Sequence, residues 1–229
     1  MCKENSKCLV VFSGGQDSTT VLGWALKEFA SVEAISFAYG QKHGKEIAFG
    51  QAICEKLGVK QTIINMESFG LVADSALITH GDVNVKNKKG LPSSFVPNRN
   101  QMFITLAHAY AQKIGADSLA LGVCQTDYSG YPDCRIDFIR AIETATNLGS
   151  DESIKIYTPL MYLTKAKTFE LAEELGILEI VITLSHTCYN GNHHTLHEWG
   201  YGCGECPACK LREKGYAEYC ELKKDKDGS

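Results

Sequence analysis

Short apolar segments alternate with helical patterns over the first two-thirds of the chain. The apolar segments 8–12, 32–38, 60–65, 117–123 and 155–158 are long enough for strands, and their near-continuous hydrophobicity is typical of buried parallel strands. Helical patterns lie between them at 20–29, 43–57, 100–114, 134–147 and 164–175. Strands that alternate with helices form a parallel sheet covered by helices on both faces. We therefore predict an α/β fold built on a doubly wound parallel sheet.

A change in composition after residue 184 divides the chain. Residues 1–184 carry the alternating pattern, whereas residues 185–220 are rich in cysteine and histidine and are predicted to form a separate small lobe. Residues 221–229 are charged and are predicted to be a flexible tail. The connection 68–97 has weak periodicity, and a connection of that length is usually functional or mobile.

Charge and hydropathy exclude some classes of protein. The 229 residues include 23 Lys and Arg and 27 Asp and Glu, a formal net charge of −4. This balance argues against a protein that holds nucleic acid mainly by neutralising phosphates. We find no secretory signal and no apolar run that could cross a bilayer, so we expect a cytoplasmic protein with no membrane partner.

A glycine pair follows the first predicted strand in the segment Ser13-Gly-Gly-Gln-Asp-Ser18. Parallel sheets bind ligands at the carboxyl ends of their strands, and a helix N-terminus offers free N–H groups to a phosphate. Ser13 and Ser18 add hydroxyl donors, and Asp17 is compatible with phosphate if it faces a bound Mg²⁺. Neither the P-loop nor the dinucleotide glycine pattern is present. The alternative is an ordinary strand-to-helix turn, and the complete segment favours phosphate binding.

Four of the ten cysteines are clustered, at Cys188, Cys203, Cys206 and Cys209. In a reducing compartment such a set indicates metal binding, and four thiolates are the usual ligands of structural zinc. The alternatives are an iron–sulfur cluster, a mixed site that uses a nearby histidine, and four unrelated thiols. The ferredoxin pattern requires a fourth cysteine where this chain has Glu213, so zinc is favoured.

Polar residues follow the other predicted strands or open helices, where they would share the ligand edge of the sheet. Lys165 stands at a helix start, where a cation is unfavourable unless an anion lies nearby, so we predict it as a phosphate ligand. Carboxylates such as Asp127 and Asp133 could accept hydrogen bonds from a guanine-like ring, and Arg135 could pair with a carboxylate or phosphate. The alternative for each is a solvated loop residue or a helix cap. The candidate substrate-binding residues are Tyr39, Gln41, His43, Gln125, Asp127, Tyr131, Asp133 and Arg135.

The segment Phe12-Ser-Gly-Gly-Gln-Asp-Ser-Thr-Thr20 resembles the pyrophosphatase loop of the N-type ATP pyrophosphatases. That superfamily has an adenine nucleotide alpha hydrolase-like fold, cleaves ATP between its α and β phosphates, adenylates a carbonyl oxygen, and lets nitrogen or sulfur displace AMP. The resemblance implies that Asp17 helps to place Mg²⁺ and that Lys165 and Arg99 neutralise charge on pyrophosphate. The implied ATP-binding residues are Phe12, Ser13, Gly14, Gly15, Gln16, Asp17, Ser18, Thr19, Thr20, Val21 and Leu22.

Further segments extend the resemblance to the QueC family of queuosine biosynthesis: Pro97-Asn-Arg-Asn100, Thr126-Asp-Tyr-Ser-Gly-Tyr-Pro-Asp133, His186-Thr-Cys-Tyr-Asn190 and Cys203-Gly-Glu-Cys-Pro-Ala-Cys-Lys-Leu-Arg212. This family resemblance implies an ATP-dependent ligase that converts 7-carboxy-7-deazaguanine and ammonia into the 7-nitrile. It also implies one structural Zn²⁺ per chain, Mg²⁺ with ATP, and a homodimer. The alternatives are a tRNA-thiolating enzyme of the same superfamily and a zinc-knuckle module that binds nucleic acid.

Overall fold

Five parallel strands form the central sheet of the computed structural model, which describes residues 3–39, 45–71, 75, 85, 90–126 and 131–227. The strand order is β3-β2-β1-β4-β5, and every pairing within this sheet is parallel. The predicted parallel sheet with helices on both faces is confirmed. The strands are β1 (Lys3–Val11), β2 (Phe29–Ala38), β3 (Lys60–Asn65), β4 (Ser118–Leu121) and β5 (Lys155–Tyr157).

Helices connect the strands and continue after the last of them. They are α1 (Gln16–Glu28), α2 (Lys45–Lys56), α3 (Arg99–Ile114), α4 (Ile136–Ser150), α5 (Lys165–Glu174), α6 (Leu178–Leu184) and α7 (Pro207–Asp227), with 3-10 turns at Glu67–Leu71 and Pro132–Cys134. A short antiparallel hairpin of β6 (Leu196–His197) and β7 (Gly200–Tyr201) lies between α6 and α7. None of the described helices is both long and apolar enough to span a membrane.

Alternate side chains of β1 face the two halves of the core. Cys8 and Val10 pack with α1, α2, α5, α6 and α7, whereas Leu9 packs with α3 and α4 on the opposite face. All three side chains are fully buried. A central parallel strand covered on both faces has no polar side, which explains why its sequence is a continuous apolar run rather than an alternating one.

The order of the strands places a crevice at the carboxyl end of β1. The chain passes from β1 to β2 on one side, and β4 then pairs with β1 on the other side. Such a reversal is where open parallel sheets bind ligands. Gly122, just after β4, allows the close approach that this crevice requires, because a Cβ there would lie 2.9 Å from the backbone nitrogen of Ser18.

Helix α1 begins four residues earlier than the apolar periodicity predicts. Its polar first turn is stabilised locally, since the hydroxyls of Thr19 and Thr20 donate to the carbonyls of Gly15 and Gln16 at 2.8 and 3.0 Å. Helix α6 has no counterpart among the predicted elements, because its seven residues are too few for a clear periodic pattern.

Helix α7 extends into the charged segment that the sequence suggests as a tail. The helix continues to Asp227, and Lys223 and Lys226 form ion pairs with Glu173 and Glu170 of α5. The boundaries of the predicted domains stay a prediction. Helix α7 thus packs along α5, the helix that begins with Lys165, and so supports the edge of the sheet where ligands bind.

Candidate active site and metal centre

A cavity of about 320 Å³ lies at the carboxyl edge of the sheet. The loop after β1 borders one part of it, together with Lys165 at the start of α5. Aromatic and cationic side chains from β2, α3 and the segment after α6 border another part. The cavity therefore joins a loop suited to phosphate with a surface suited to a flat ring.

The loop between β1 and α1 is folded around its own hydroxyl groups. The Ser13 backbone N–H donates to Ser18 Oγ at 3.2 Å, and the two serine hydroxyls lie 3.1 Å apart. Gly14 has φ of 78°, a left-handed conformation that glycine adopts without strain. The His186 backbone N–H donates to the Gly14 carbonyl at 2.9 Å, so the segment after α6 holds the loop from outside.

Lys165 and Asp17 form an ion pair inside the cavity. The Lys165 Nζ lies 2.8 and 2.6 Å from the two carboxylate oxygens of Asp17, and the two side chains are 10% and 26% exposed. The anion that a cation at a helix start requires is thus Asp17 in the free protein. Gly215 of α7 makes room for this lysine, because a Cβ there would overlap the Lys165 Cβ.

Aromatic side chains surround Arg99 in another part of the cavity. The Arg99 Nη1 donates to the Tyr39 hydroxyl at 3.4 Å, and Tyr131 and Tyr189 line the same space. Burial, followed by the Tyr131 hydroxyl, raises the pKa of Tyr189 well above its usual range, so this phenol stays neutral and can donate a hydrogen bond. Ser94 Oγ lies 2.6 Å from the Tyr131 hydroxyl and fixes its position.

Some predicted substrate residues instead support helix N-termini. Asp133 Oδ2 accepts from the Asn100 backbone N–H of α3 at 3.2 Å, and Gln125 Oε1 accepts from the Ile136 N–H of α4 at 3.1 Å. Arg135 is the exposed N-cap residue of α4. None of the side chains of Gln125, Asp133 and Arg135, all of which the structure describes, lines the cavity. Gln41, His43 and Asp127 lie outside the described residues.

Several cavity residues belong to none of the predicted sites. Thr187, Tyr189 and Arg212 line the cavity from the segment after α6 and from α7. They belong to the segments 186–190 and 203–212, which resemble the QueC family, but no local pattern distinguishes them from structural residues. Arg212 is 1% exposed, and burial lowers its pKa to about 10, which the charge of Asp17 opposes.

Four sulfur atoms form the candidate metal centre. The Sγ atoms of Cys188, Cys203, Cys206 and Cys209 all lie within 4.8 Å of one another. Cys203 and Cys209 are 3.9 Å apart, close to the separation of about 3.8 Å that tetrahedral zinc with Zn–S bonds of about 2.3 Å requires. The arrangement therefore fits a tetrahedral metal ion, and the prediction that this group could hold a metal is confirmed.

Electrostatics also favours a cation at this cluster. Hydrogen bonds from the Cys206 and Cys209 thiols lower the pKa of Cys188 far below its usual range, and the same bonds raise the pKa of Cys206 to about 11 and that of Cys209 far above its usual range. A bound cation would remove this penalty by stabilising thiolates. The backbone N–H groups of Glu205 and Cys206 donate to Cys203 Sγ at 3.4 and 3.3 Å, which further stabilises negative charge on sulfur.

The nearby histidines pack beside the cluster as aromatic rings. His193 stacks between Phe49 and Tyr201, with ring centroids 3.7 and 4.0 Å away, and His197 stacks on Trp199 at 4.3 Å. In the described part of the chain, the group of residues placed to hold a metal contains cysteines and no histidine. The mixed cysteine–histidine alternative therefore has no geometric support.

Comparison with known proteins defines the family. The family model described as "Queuosine biosynthesis protein QueC" matches residues 7–220. The chain belongs to the QueC family. This confirms the family predicted from the sequence motifs. A 7-cyano-7-deazaguanine synthase from Wolinella succinogenes is 56% identical over 219 residues, 94% of each chain. A protein of the same name from Caulobacter vibrioides is 46% identical over 231 residues, 95% of each chain.

Solved structures support the fold of this QueC family member. A 4-thiouridine synthetase in complex with RNA and ATP is similar with a TM-score of 0.55 and 18% identity, over 98% of this chain and 54% of that one. At this level of identity the likeness concerns the fold alone. Support for the function therefore comes from the family and from the residues that line the cavity.

Proposed function

We propose that this member of the QueC family converts 7-carboxy-7-deazaguanine and ammonia into 7-cyano-7-deazaguanine with ATP. The observation that carries the proposal is one cavity that joins the loop after β1 and Lys165 to the surface formed by Tyr39, Arg99, Tyr131 and Tyr189. The names of the relatives, which are 46–56% identical, agree with this reaction.

The loop Ser13–Ser18 would hold the phosphates of ATP. Its curled backbone and the start of α1 supply N–H donors, and Ser13 and Ser18 supply hydroxyls. Lys165 would move from Asp17 toward the pyrophosphate as negative charge develops there, since the ion pair already holds its Nζ in the cavity. The other predicted ATP-binding residues at the start of α1, Thr19, Thr20, Val21 and Leu22, are fully buried and do not line the cavity, so their role stays a prediction.

The aromatic part of the cavity would hold the deazaguanine. The Tyr39, Tyr131 and Tyr189 side chains offer ring faces and hydroxyl groups to a flat heterocycle. The sequence predicts Arg99 as a phosphate ligand, but its contact with Tyr39 favours a second role as the partner of the substrate carboxylate. The candidates among 125–135, except Tyr131, have no described contact that supports substrate binding.

The chemistry requires activation because a carboxylate has no good leaving group. A carboxylate oxygen forms a bond to the α-phosphorus of ATP, and the bond to pyrophosphate breaks. Ammonia then attacks the carbonyl carbon, AMP leaves with that oxygen, and loss of a proton gives the amide. The amide oxygen is adenylated by a second ATP in the same way, and departure of AMP with loss of the remaining protons leaves the nitrile. Each ATP thus yields AMP and pyrophosphate.

We assign Zn²⁺ to the four cysteines, because four thiolates with tetrahedral spacing are typical of a structural zinc site. Its contribution would be to hold the segment 188–209 together rather than to take part in the reaction. Mg²⁺ would accompany ATP and neutralise phosphate charge, with the Asp17 carboxylate as the nearby oxygen ligand. We further propose a cytoplasmic homodimer, for which the family resemblance is the support. It would act on small molecules and not on nucleic acid, in line with the net charge of −4.

One assay tests the proposed function directly. Purified protein is incubated with 7-carboxy-7-deazaguanine, ammonia and Mg-ATP, and the products are separated by chromatography. We expect the nitrile together with two AMP per nitrile. Formation of ADP instead of AMP, or AMP without amide or nitrile, would reject this mechanism. Sulfur transfer to a tRNA would indicate the thiolating alternative.

A further inference from the structure

The Thr187 hydroxyl joins the segment after α6 to the loop that follows β1. The Gln16 backbone N–H, at the start of α1, donates to Thr187 Oγ1 at 3.3 Å. The Arg212 Nη1 of α7 donates to the same oxygen at 3.2 Å. Thr187 also lies beside the glycine pair, since a Cβ at Gly15 would be 3.8 Å from its Oγ1.

These two hydrogen bonds determine the direction in which the Thr187 proton points. A hydroxyl has two acceptor lone pairs and one donor proton. Gln16 and Arg212 occupy both lone pairs, so the proton must be donated to a further acceptor. No described residue accepts it, and Thr187 is half-buried and borders the cavity. The hydroxyl is therefore oriented as a donor toward the cavity.

The positive charge of Arg212, which donates to Thr187, favours an anionic acceptor for the Thr187 hydroxyl. Arg212 is 1% exposed, and its other hydrogen bond runs to the neutral carbonyl of Val181 at 2.7 Å. Among the described residues no carboxylate forms a salt bridge with it; Asp17, whose charge acts on Arg212 from a distance, is paired with Lys165. Burying a guanidinium without a counter-ion is costly, and an anion in the adjacent cavity would offset that cost.

We propose that Thr187 binds a phosphate oxygen of ATP through its hydroxyl, with Arg212 as the positioning residue that orients and polarises it. The proposal rests on the proposed function and adds to it two residues from outside the loop. The Gln16 N–H donates to Thr187 and therefore cannot also donate to a phosphate. The Thr187 hydroxyl would replace it as the donor to the ligand. Hydrogen bonds to charged acceptors are the stronger ones, so one such donor has a measurable effect.

The primary test measures binding of magnesium pyrophosphate, and in parallel adenosine, by calorimetry with metal-loaded protein. We expect Thr187→Val to bind pyrophosphate about 10 to 100 times more weakly and adenosine as the wild type does. Thr187→Ser, which keeps the hydroxyl, should bind pyrophosphate within about threefold of the wild type. Thr183→Val is the matched control, because its hydroxyl donates to the Glu179 carbonyl within α6. A purely structural role for Thr187 would weaken both ligands equally and would overturn the proposal.

The role of Arg212 is tested by a double-mutant cycle and by NMR. If Arg212 acts through Thr187, Arg212→Lys should weaken pyrophosphate binding in the wild type and have little further effect in Thr187→Val. The chain has only four arginines, Arg99, Arg135, Arg140 and Arg212, so few Nε–H signals are expected. The signal of Arg212 is the one that is missing from the spectrum of Arg212→Lys. Pyrophosphate should shift the Arg212 signal in the wild-type protein.

The wild-type NMR measurement keeps the inference testable if Thr187→Val fails to fold. An unshifted Arg212 signal at saturating pyrophosphate would overturn it. If the wild type binds pyrophosphate and responds as described but makes no nitrile, the proposed function fails and the role of Thr187 stands. If the wild type binds neither pyrophosphate nor ATP, both are rejected.

Discussion

The two parts of the cavity are built in different ways. The loop part comes mainly from one contiguous segment, Ser13–Ser18, and its donors are largely backbone N–H groups and hydroxyls fixed by the strand-to-helix turn. The aromatic part brings together Tyr39, Arg99, Tyr131 and Tyr189 from four separate regions of the chain. One part depends on local geometry, and the other depends on the packing of the whole fold.

This difference has a functional consequence. In the proposed function the loop part would meet the phosphates, which are common to both ATP-dependent steps, so changes there should abolish each step alike. The aromatic part would meet the deazaguanine, so changes there should alter substrate binding and leave nucleotide binding intact. We expect the candidate metal centre to support both parts, because Thr187 and Tyr189, which line the cavity, lie on either side of Cys188 in the chain.

Replacement of Asp17 should have the largest effect. Asp17→Asn removes the charge that pairs with Lys165 and the carboxylate proposed for Mg²⁺, so we expect AMP formation to fall by at least about a thousandfold. Circular dichroism should show an unchanged fold. Asp137→Asn is the matched control, since it is an exposed carboxylate in the first turn of α4. Turnover by Asp17→Asn at the control rate would contradict the assignment of the loop.

Replacement of Lys165 should have the next largest effect. Lys165→Met keeps the aliphatic contacts but removes the cation, and we expect kcat to fall by about 100- to 1,000-fold because charge on the leaving pyrophosphate is no longer neutralised. Lys167→Met is the control, since this more exposed lysine pairs with Glu170. Equal losses in the two variants would show that Lys165 acts through the stability of α5 and not through the phosphates.

Loss of the metal centre should affect both parts of the cavity. Cys206→Ser removes one of four sulfur ligands, and we expect it to lose bound metal and to melt on the order of 10 °C lower. It should bind both ATP and the deazaguanine less well. Cys220→Ser, which lies on α7 and outside the four-cysteine group, should keep about one zinc per chain.

Elemental analysis of the wild type identifies the metal. Iron and sulfide in place of zinc would reject the assignment of the metal. If Cys206→Ser loses metal but binds both ligands normally, the metal centre does not support the cavity.

The same contrast explains what the sequence could predict. The loop and the four cysteines are compact patterns in which each residue type has a recognisable chemical task, so they are visible before the fold is known. Thr187 becomes a neighbour of Gln16 and Arg212 only after α6 packs against α1 and α7 packs against α5. No periodicity or spacing connects residues that are 171 positions apart in the chain.

The polar segment 125–135 shows why chemical suitability alone does not assign a binding residue, and its role in substrate binding stays a prediction. Its residues are chemically suited to bind a purine-like ring, but the N-termini of α3 and α4 have free N–H groups that also require acceptors. Asp133 and Gln125 serve those N–H groups. Chemistry alone could not decide between ligand and helix cap, because both uses need the same oxygen atoms.

Arg99 distinguishes the two parts of the cavity. Arg99→Met removes the cation proposed for the substrate carboxylate, so we expect the KM for 7-carboxy-7-deazaguanine to rise by about 10- to 100-fold, with ATP binding nearly unchanged. Arg140→Met, an exposed residue of α4, is the control. A loss of ATP affinity as large as the loss of substrate affinity would indicate that Arg99 binds the phosphates instead of the substrate carboxylate.

The smallest expected effect concerns Asp133 at the N-terminus of α3. Burial raises its pKa above the usual value, against the opposing effects of the Asn100 N–H and the charge of Arg99. Because the folded state favours the protonated carboxyl, ionisation costs stability as the pH rises through the raised pKa. Asp133→Asn should therefore melt at or a few degrees above the wild type at pH 7, and the difference should disappear below about pH 4, where both side chains are neutral. The measurement is a series of melting curves from pH 3 to pH 8 at constant ionic strength. A variant less stable than the wild type at pH 7 but equal to it at pH 3 would contradict this expectation, because it would mean that the negative charge of Asp133 stabilises the N-terminus of α3.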